Sequence, residues 1–125
     1  MKDLMDHILI VEDEELIAMA FKFQIEDIGY AVCATAATAE DAIALAITNR
    51  PKVILMDMRL RGEKDGVDAA LAIHEKTGSR VIFVTGSKEP STVERINLDH
   101  PWAILFKPIS HRQLEMTVRK AMMDG

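Results

Sequence analysis

Val53-Ile54-Leu55-Met56-Asp57 is a run of four apolar residues closed by a carboxylate. A short run without polar alternation fits a strand buried on both faces. Asp57 then follows a rigid strand and is partly desolvated. Four similar runs stand on either side: Ile8–Val11, Tyr30–Ala34, Arg80–Val84 and Trp102–Phe106. The segments between them carry helical spacing. The first has Ile17, Phe21, Ile25 and Ile28 and stops at Gly29. The second starts at Thr38, with Asp41 three residues on, and ends before Pro51. The third carries Val67, Ala70, Leu71 and His74 and stops at Gly78. The fourth has Pro90 near its start, then Val93, Ile96 and Leu98. The fifth opens on Ser110-x-x-Gln113 and continues through Leu114, Val118, Ala121 and Met122. Strand and helix thus alternate five times, which predicts an α/β fold with a doubly wound parallel sheet. Helices cover both faces only if the winding reverses once, and that reversal opens a crevice at the carboxyl ends of the strands.

The 125 residues fit one domain spanning 1–125, and 49% apolar with 28% charged residues fits a packed core. Fifteen basic against twenty acidic residues leave a net charge of −5, which disfavours a nucleic-acid or anionic-membrane surface. No apolar run approaches the ~20 residues of a membrane span. Met1-Lys2-Asp3-Leu4-Met5-Asp6-His7 lacks the pattern of a signal peptide. The single cysteine, Cys33, and eight methionines suit a reducing compartment. A cytoplasmic protein is expected.

The strand ends carry the chemistry. Glu12 and Asp13 follow the first run, Asp57 ends the third, Thr85 and Gly86 follow the fourth, and Lys107-Pro108 follow the fifth. The second ends blandly, in Ala34-Thr35-Ala36. Three crowded carboxylates repel, and a divalent cation relieves the repulsion. Oxygen ligands without a Cys/His cluster suit Mg²⁺ rather than zinc. A carboxylate beside Mg²⁺ can attack phosphorus and form an acyl phosphate. Lys107, the Thr85 hydroxyl and the backbone at Gly86 can then receive the phosphoryl oxygens. Taken singly, each acid has a plainer reading: Asp13 or Glu14 could simply start the first helix.

With these residues in this order, the sequence resembles a bacterial two-component response-regulator receiver domain, of the CheY-like, single-domain type. The motifs are Ile8-Leu9-Ile10-Val11-Glu12-Asp13-Glu14, Val53-Ile54-Leu55-Met56-Asp57-Met58-Arg59-Leu60 with Asp65-Gly66, Val81-Ile82-Phe83-Val84-Thr85-Gly86 and Leu105-Phe106-Lys107-Pro108. The resemblance implies a flavodoxin-like strand order 2-1-3-4-5. It makes Asp57 the phosphoacceptor, with Asp13 and Asp57 on Mg²⁺, Glu12 reaching it through water and the Arg59 carbonyl completing the set. Thr85 becomes the switch hydroxyl and Lys107 the active-site lysine. The implied donor is a phosphohistidine on a sensor histidine kinase or a histidine phosphotransfer protein, and the output is a contact with a further protein. Such a domain catalyses only its own phosphorylation and dephosphorylation.

Four features depart from the family pattern. Ile104 stands where an aromatic switch residue is common, three before Lys107. Strand alternation puts Trp102 and Phe106 on the face of Ile104, with Lys107 opposite. Arg61 replaces a frequent proline in a loop that runs a residue long, Glu12 replaces the commoner Asp, and Arg59 and Ser87 flank the phosphoryl position. The face made by the fourth helix, fifth strand and fifth helix is expected to report phosphorylation. Leu16, Met19 and Phe23 form a second apolar side of the first helix, read either as edge packing or as a docking patch for the phosphodonor. His74 reads as a helix-flank residue, and His7, His100 and His111 lie at segment edges.

Three other readings compete. One is a receiver belonging to a larger hybrid kinase or regulator. Another is an aspartyl-nucleophile phosphatase, which usually needs a second acid where Arg59 stands. The last is a flavin-binding or phosphorylation-inert scaffold, and Glu12–Glu15 would repel a flavin phosphate.

Overall fold

The computed structural model describes residues 4–123. The N-terminal stretch read against a signal peptide falls partly on residues 1–3, and the 1–125 domain boundaries run into both ends, so these expectations lie partly outside the described residues. The elements alternate as β1 (Met5–Val11), α1 (Glu15–Asp27), β2 (Ala31–Ala36), α2 (Ala39–Asn49), β3 (Pro51–Asp57), α3 (Gly66–Lys76), β4 (Arg80–Thr85), α4 (Pro90–Asn97), β5 (Ala103–Phe106) and α5 (His111–Met123). All pairings are parallel and the strand order is β2-β1-β3-β4-β5, as expected. The winding reverses between β1 and β3.

Alternation along the central strands feeds two cores. Ile8, Ile10, Val53, Leu55, Ile82 and Val84 face α1 and α5, where they meet Ile25, Leu114 and Val118. Leu9, Val11, Ile54, Met56, Val81 and Phe83 face α2, α3 and α4. On that side Ala39, Ala42 and Ala46 give α2 a small-residue face against the sheet. Each fully buried Ile, Leu or Phe stabilises the fold by about 1.5–3 kcal/mol. That doubled burial is why the central runs lack polar alternation.

Several local expectations need correction. β1 begins at Met5, and β2 runs Ala31–Ala36 rather than Tyr30–Ala34, paired to β1 through a register shift between Ile8 and Leu9. Leu71 and Leu98 are exposed. Ile73 takes the core position in α3, and Leu98 caps α4 instead of packing beneath it. Trp102 precedes β5 and packs with the α1/α5 core, while Ile104 packs on the opposite core. Strand alternation therefore does not govern Trp102. His74 is more than a flank: its Nδ1 lies 2.9 Å from Oδ2 of buried Asp99, tying α3 to the segment after α4.

The caps explain where helices begin. Thr38 Oγ1 accepts from the Asp41 N–H (3.1 Å) and Ser110 Oγ from the Gln113 N–H (3.0 Å). At α3, Asp65 accepts from Val67 and Asp68 N–H groups, and Asp68 accepts from the Asp65 N–H, a reciprocal capping box. The long loop after β3 is pinned by the Arg61 N–H donating to the Ala37 carbonyl (3.0 Å). Among the described residues no helix is long and apolar enough to cross a membrane.

Gly66 opens α3 directly against β3: a Cβ there would overlap the Asp57 carbonyl oxygen, whereas one at Gly86 would meet open space. Gly66→Ala is expected to lower stability by about 1–3 kcal/mol in urea unfolding. Gly86→Ala is expected to stay within ~0.5 kcal/mol.

Candidate functional site

The winding reversal brings the strand-end residues into one cleft of about 830 Å³. Glu12 and Asp13 reach it from the end of β1, Asp57 and Arg59 from β3, Thr85 and Ser87 from β4, and Lys107 from β5. Every site residue singled out from the sequence therefore lines the same cavity. Burial grades them sharply. Glu12 is 3% exposed, Asp57 7% and Thr85 2%, while Asp13 is half-buried.

The carboxylates are close but incompletely satisfied. One oxygen each from Glu12, Asp13 and Asp57 lies within 4.8 Å of the others. Lys107 Nζ donates to Asp57 Oδ2 at 3.4 Å and stands 3.6 Å from Glu12 Oε1. The Arg59 N–H donates to Asp57 Oδ1, also at 3.4 Å. Both bonds to Asp57 exceed the ordinary N–H···O range of about 2.7–3.2 Å. Glu12 Oε2 accepts from the Glu14 N–H at 3.0 Å, but buried Oε1 has no hydrogen-bond partner. Glu14 occupies the N-cap position and so does start α1, although its side chain makes no cap bond.

Burial is the first cause that pushes the Glu12 pKa up, to about 7. The Asp13 and Asp57 carboxyls add to it, and the Glu14 N–H opposes it. An orphaned buried oxygen, loosely held neighbours and an all-oxygen donor set fit a hard divalent cation. The described residues thus include an acidic cluster able to hold a metal.

The hydroxyl and the lysine are linked through the backbone. The Lys107 N–H donates to the Thr85 carbonyl (2.8 Å), and Thr85 Oγ1 accepts from the Ser87 N–H (3.1 Å). Lys107 and Pro108 are joined by a cis peptide bond. Lys88 Nζ lies 5.7 Å from the Phe106 ring centre, a cation–π contact between the β4–α4 loop and the strand carrying the lysine. Ile104 lies in the core of the opposite layer and brings no polar tip to the cleft. Sequence reading passed over the Asp65–Asp68 capping box and the Arg95 guanidinium bound to both of its carboxylates. The Asp-x-x-Asp spacing ahead of an apolar stripe was the available signal. Burial raises the Asp65 pKa, but Arg95 and the Asp68 N–H outweigh it and hold the carboxyl below its usual value.

Fold and site together define a doubly wound parallel α/β domain with an acidic, lysine-bearing cleft at its switch point. The chain belongs to the response regulator receiver domain family, whose model matches residues 8–119, and so to two-component signalling. It is similar to the transcriptional regulatory protein PdtaR of Mycobacterium tuberculosis, 30% identical over 115 residues, covering 92% of this chain and 56% of that protein. It is also similar to the phyllosphere-induced regulator PhyR of Methylorubrum extorquens, 32% identical over 122 residues, covering 96% and 45%. The chain spans about half the length of these curated relatives. Among solved structures, the signal receiver domain of a modulated diguanylate cyclase from Desulfovibrio desulfuricans aligns with a TM-score of 0.87. That alignment has 32% identity and covers 98% of this chain and 96% of that one.

The Glu12 shift sets a pH dependence. Its folded pKa lies above the ordinary value of 4.5, so its charged form disfavours folding. Its contribution is most favourable below pH 4.5 and is lost as pH rises towards about 7. Glu12→Gln is expected to stabilise the metal-free protein at pH 8 by about 1–3 kcal/mol. Urea unfolding across pH should show the difference closing below pH 4.5.

Proposed function

We propose that the cleft accepts a phosphoryl group on Asp57 from a phosphohistidine, with Mg²⁺ as cofactor. The observation that carries this reading is the convergence of Glu12, Asp13 and Asp57 with Lys107 at the mouth of one buried strand end. Asp13 and Asp57 would hold the ion directly, Glu12 through water, and the Arg59 carbonyl would complete the protein ligands. When bound, Mg²⁺ would supply positive charge against the carboxylates and the transferring group.

The chain's own groups do the rest. An Asp57 carboxylate oxygen attacks phosphorus in line, a new P–O bond forms, and the donor's P–N bond breaks. The electron pair leaves with the imidazole, which takes up a proton. Burial at the end of β3 limits the motion of the nucleophile. Lys107 releases its long contact with Asp57 and offsets the charge on the phosphoryl oxygens. The Thr85 hydroxyl donates to one of those oxygens. Arg59 and Ser87 border the approach of water, and so bear on the lifetime of the acyl phosphate.

The phosphodonor is a sensor histidine kinase or a histidine phosphotransfer protein, and the output is a protein contact rather than nucleic acid or membrane. Leu16, Met19 and Phe23, which are 81%, 59% and 74% exposed, form an apolar strip along α1. That exposure favours docking over edge packing. A second reading is a receiver within a larger hybrid kinase or regulator. It is favoured by the chain's covering only about half of its curated relatives.

Incubation with acetyl phosphate and Mg²⁺ is expected to add the mass of one phosphoryl group, removed by mild base. Asp57→Asn should abolish the adduct, and Lys107→Ala should slow its formation about 100-fold. Steady hydrolysis of small phosphoesters at useful turnover would instead support a phosphatase.

A further inference from the structure

The α4 helix is held by few contacts. It buries one side chain, Ile96, and its N-cap Glu89 makes no side-chain cap bond. Its second attachment is polar. The Arg95 guanidinium forks onto α3, with Nη1 donating to Asp65 Oδ2 and Nη2 donating to Asp68 Oδ1 (3.2 Å). The same two carboxylates close the capping box of α3. Gly66, next to Asp65, donates its N–H to the Met58 carbonyl (2.8 Å) and packs against the Asp57 carbonyl with no room for a Cβ. A short rigid path therefore runs from Arg95 through the first turn of α3 to the backbone of Asp57.

The other link from the cleft to α4 is the loop that starts at Thr85 and Ser87. Ile104 has no group with which to follow the Thr85 hydroxyl, so that route lacks a polar relay on β5. A bidentate guanidinium fork fixes direction as well as distance, which a single ammonium does not.

We infer that Arg95 is a positioning residue that couples α4 to the acceptor end of β3, through its fork on Asp65 and Asp68. The inference rests on Asp57 being the phosphoacceptor. When the Thr85 loop is drawn toward a phosphoryl group at Asp57, the N-terminal end of α4 follows. Arg95 holds the other half against α3, so the helix turns about that anchor instead of drifting. Without the fork, the N-terminal end of α4 still follows the Thr85 loop, but the Arg95–Leu98 half loses its link to the backbone of Asp57 through α3, because only a contact that differs between two states can shift their populations.

Amide hydrogen exchange on the full chain tests this, with and without beryllofluoride plus Mg²⁺ as the phosphoryl mimic. In the unaltered protein, exchange is expected to change at Met58 and Arg59 and also along Arg95–Leu98. In Arg95→Ala, the amides beside Asp57 should still respond, while the change along Arg95–Leu98 falls at least tenfold. Arg95→Lys keeps the charge without the fork and should retain only part of it. Asp68→Asn, which leaves the Asp65 cap in place, should give a partial loss even if Arg95→Ala folds poorly. An undiminished α4 response in Arg95→Ala or Asp68→Asn, with the Asp57 amides responding, overturns the inference alone. No response beside Asp57 in the unaltered protein overturns the phosphoacceptor reading and the inference with it.

Discussion

Three carboxylates held at the end of two adjacent buried strands, with one ammonium as their nearest counter-charge, are the constraint around which the molecule is organised. Glu12 and Asp57 are almost wholly withdrawn from solvent, where ionised oxygens need partners. Lys107 reaches both, but at distances that satisfy neither fully. The site's own groups thus hold it together without satisfying one another. The raised Glu12 pKa is the thermodynamic trace of that tension.

The fold exists in the form that produces this constraint. A parallel sheet needs crossover helices, and covering both faces requires one reversal of winding. The reversal lies between β1 and β3, the two strands that end in acids. Gly66 then lets α3 start close against Asp57, and the Asp65–Asp68 box fixes that start. Stability in the two cores and tension at the rim come from the same strands: Ile8–Val11 and Val53–Met56 are buried along their length and deliver Glu12 and Asp57 at their ends.

Much of this was legible in the sequence because burial on both faces leaves an unmistakable apolar run. The polar residues at or just past the ends of such runs line the cleft. Glu12, Asp13, Asp57, Thr85 and Lys107 were found that way, and the five helices by stripes and caps. What escaped reading depended on contacts between distant segments. The start of β2 was misjudged because its edge position mixes polar and apolar residues. Spacing groups Leu71 and Leu98 with the apolar stripes of α3 and α4, but both are exposed, Leu71 by its phase on the helix and Leu98 by its place at the C-cap. Trp102 was placed by extending strand alternation one residue beyond where β5 begins. The Arg95 fork joins residues 27 and 30 positions apart, a spacing with no periodic signature.

Manganese, used as a paramagnetic stand-in for Mg²⁺ in amide NMR, probes the convergence most directly. Substoichiometric Mn²⁺ should broaden the signals of Glu12, Asp13 and Asp57–Arg59 first, and excess Mg²⁺ should restore them. Broadening spread over surface acids elsewhere, or none at these residues, would contradict the account.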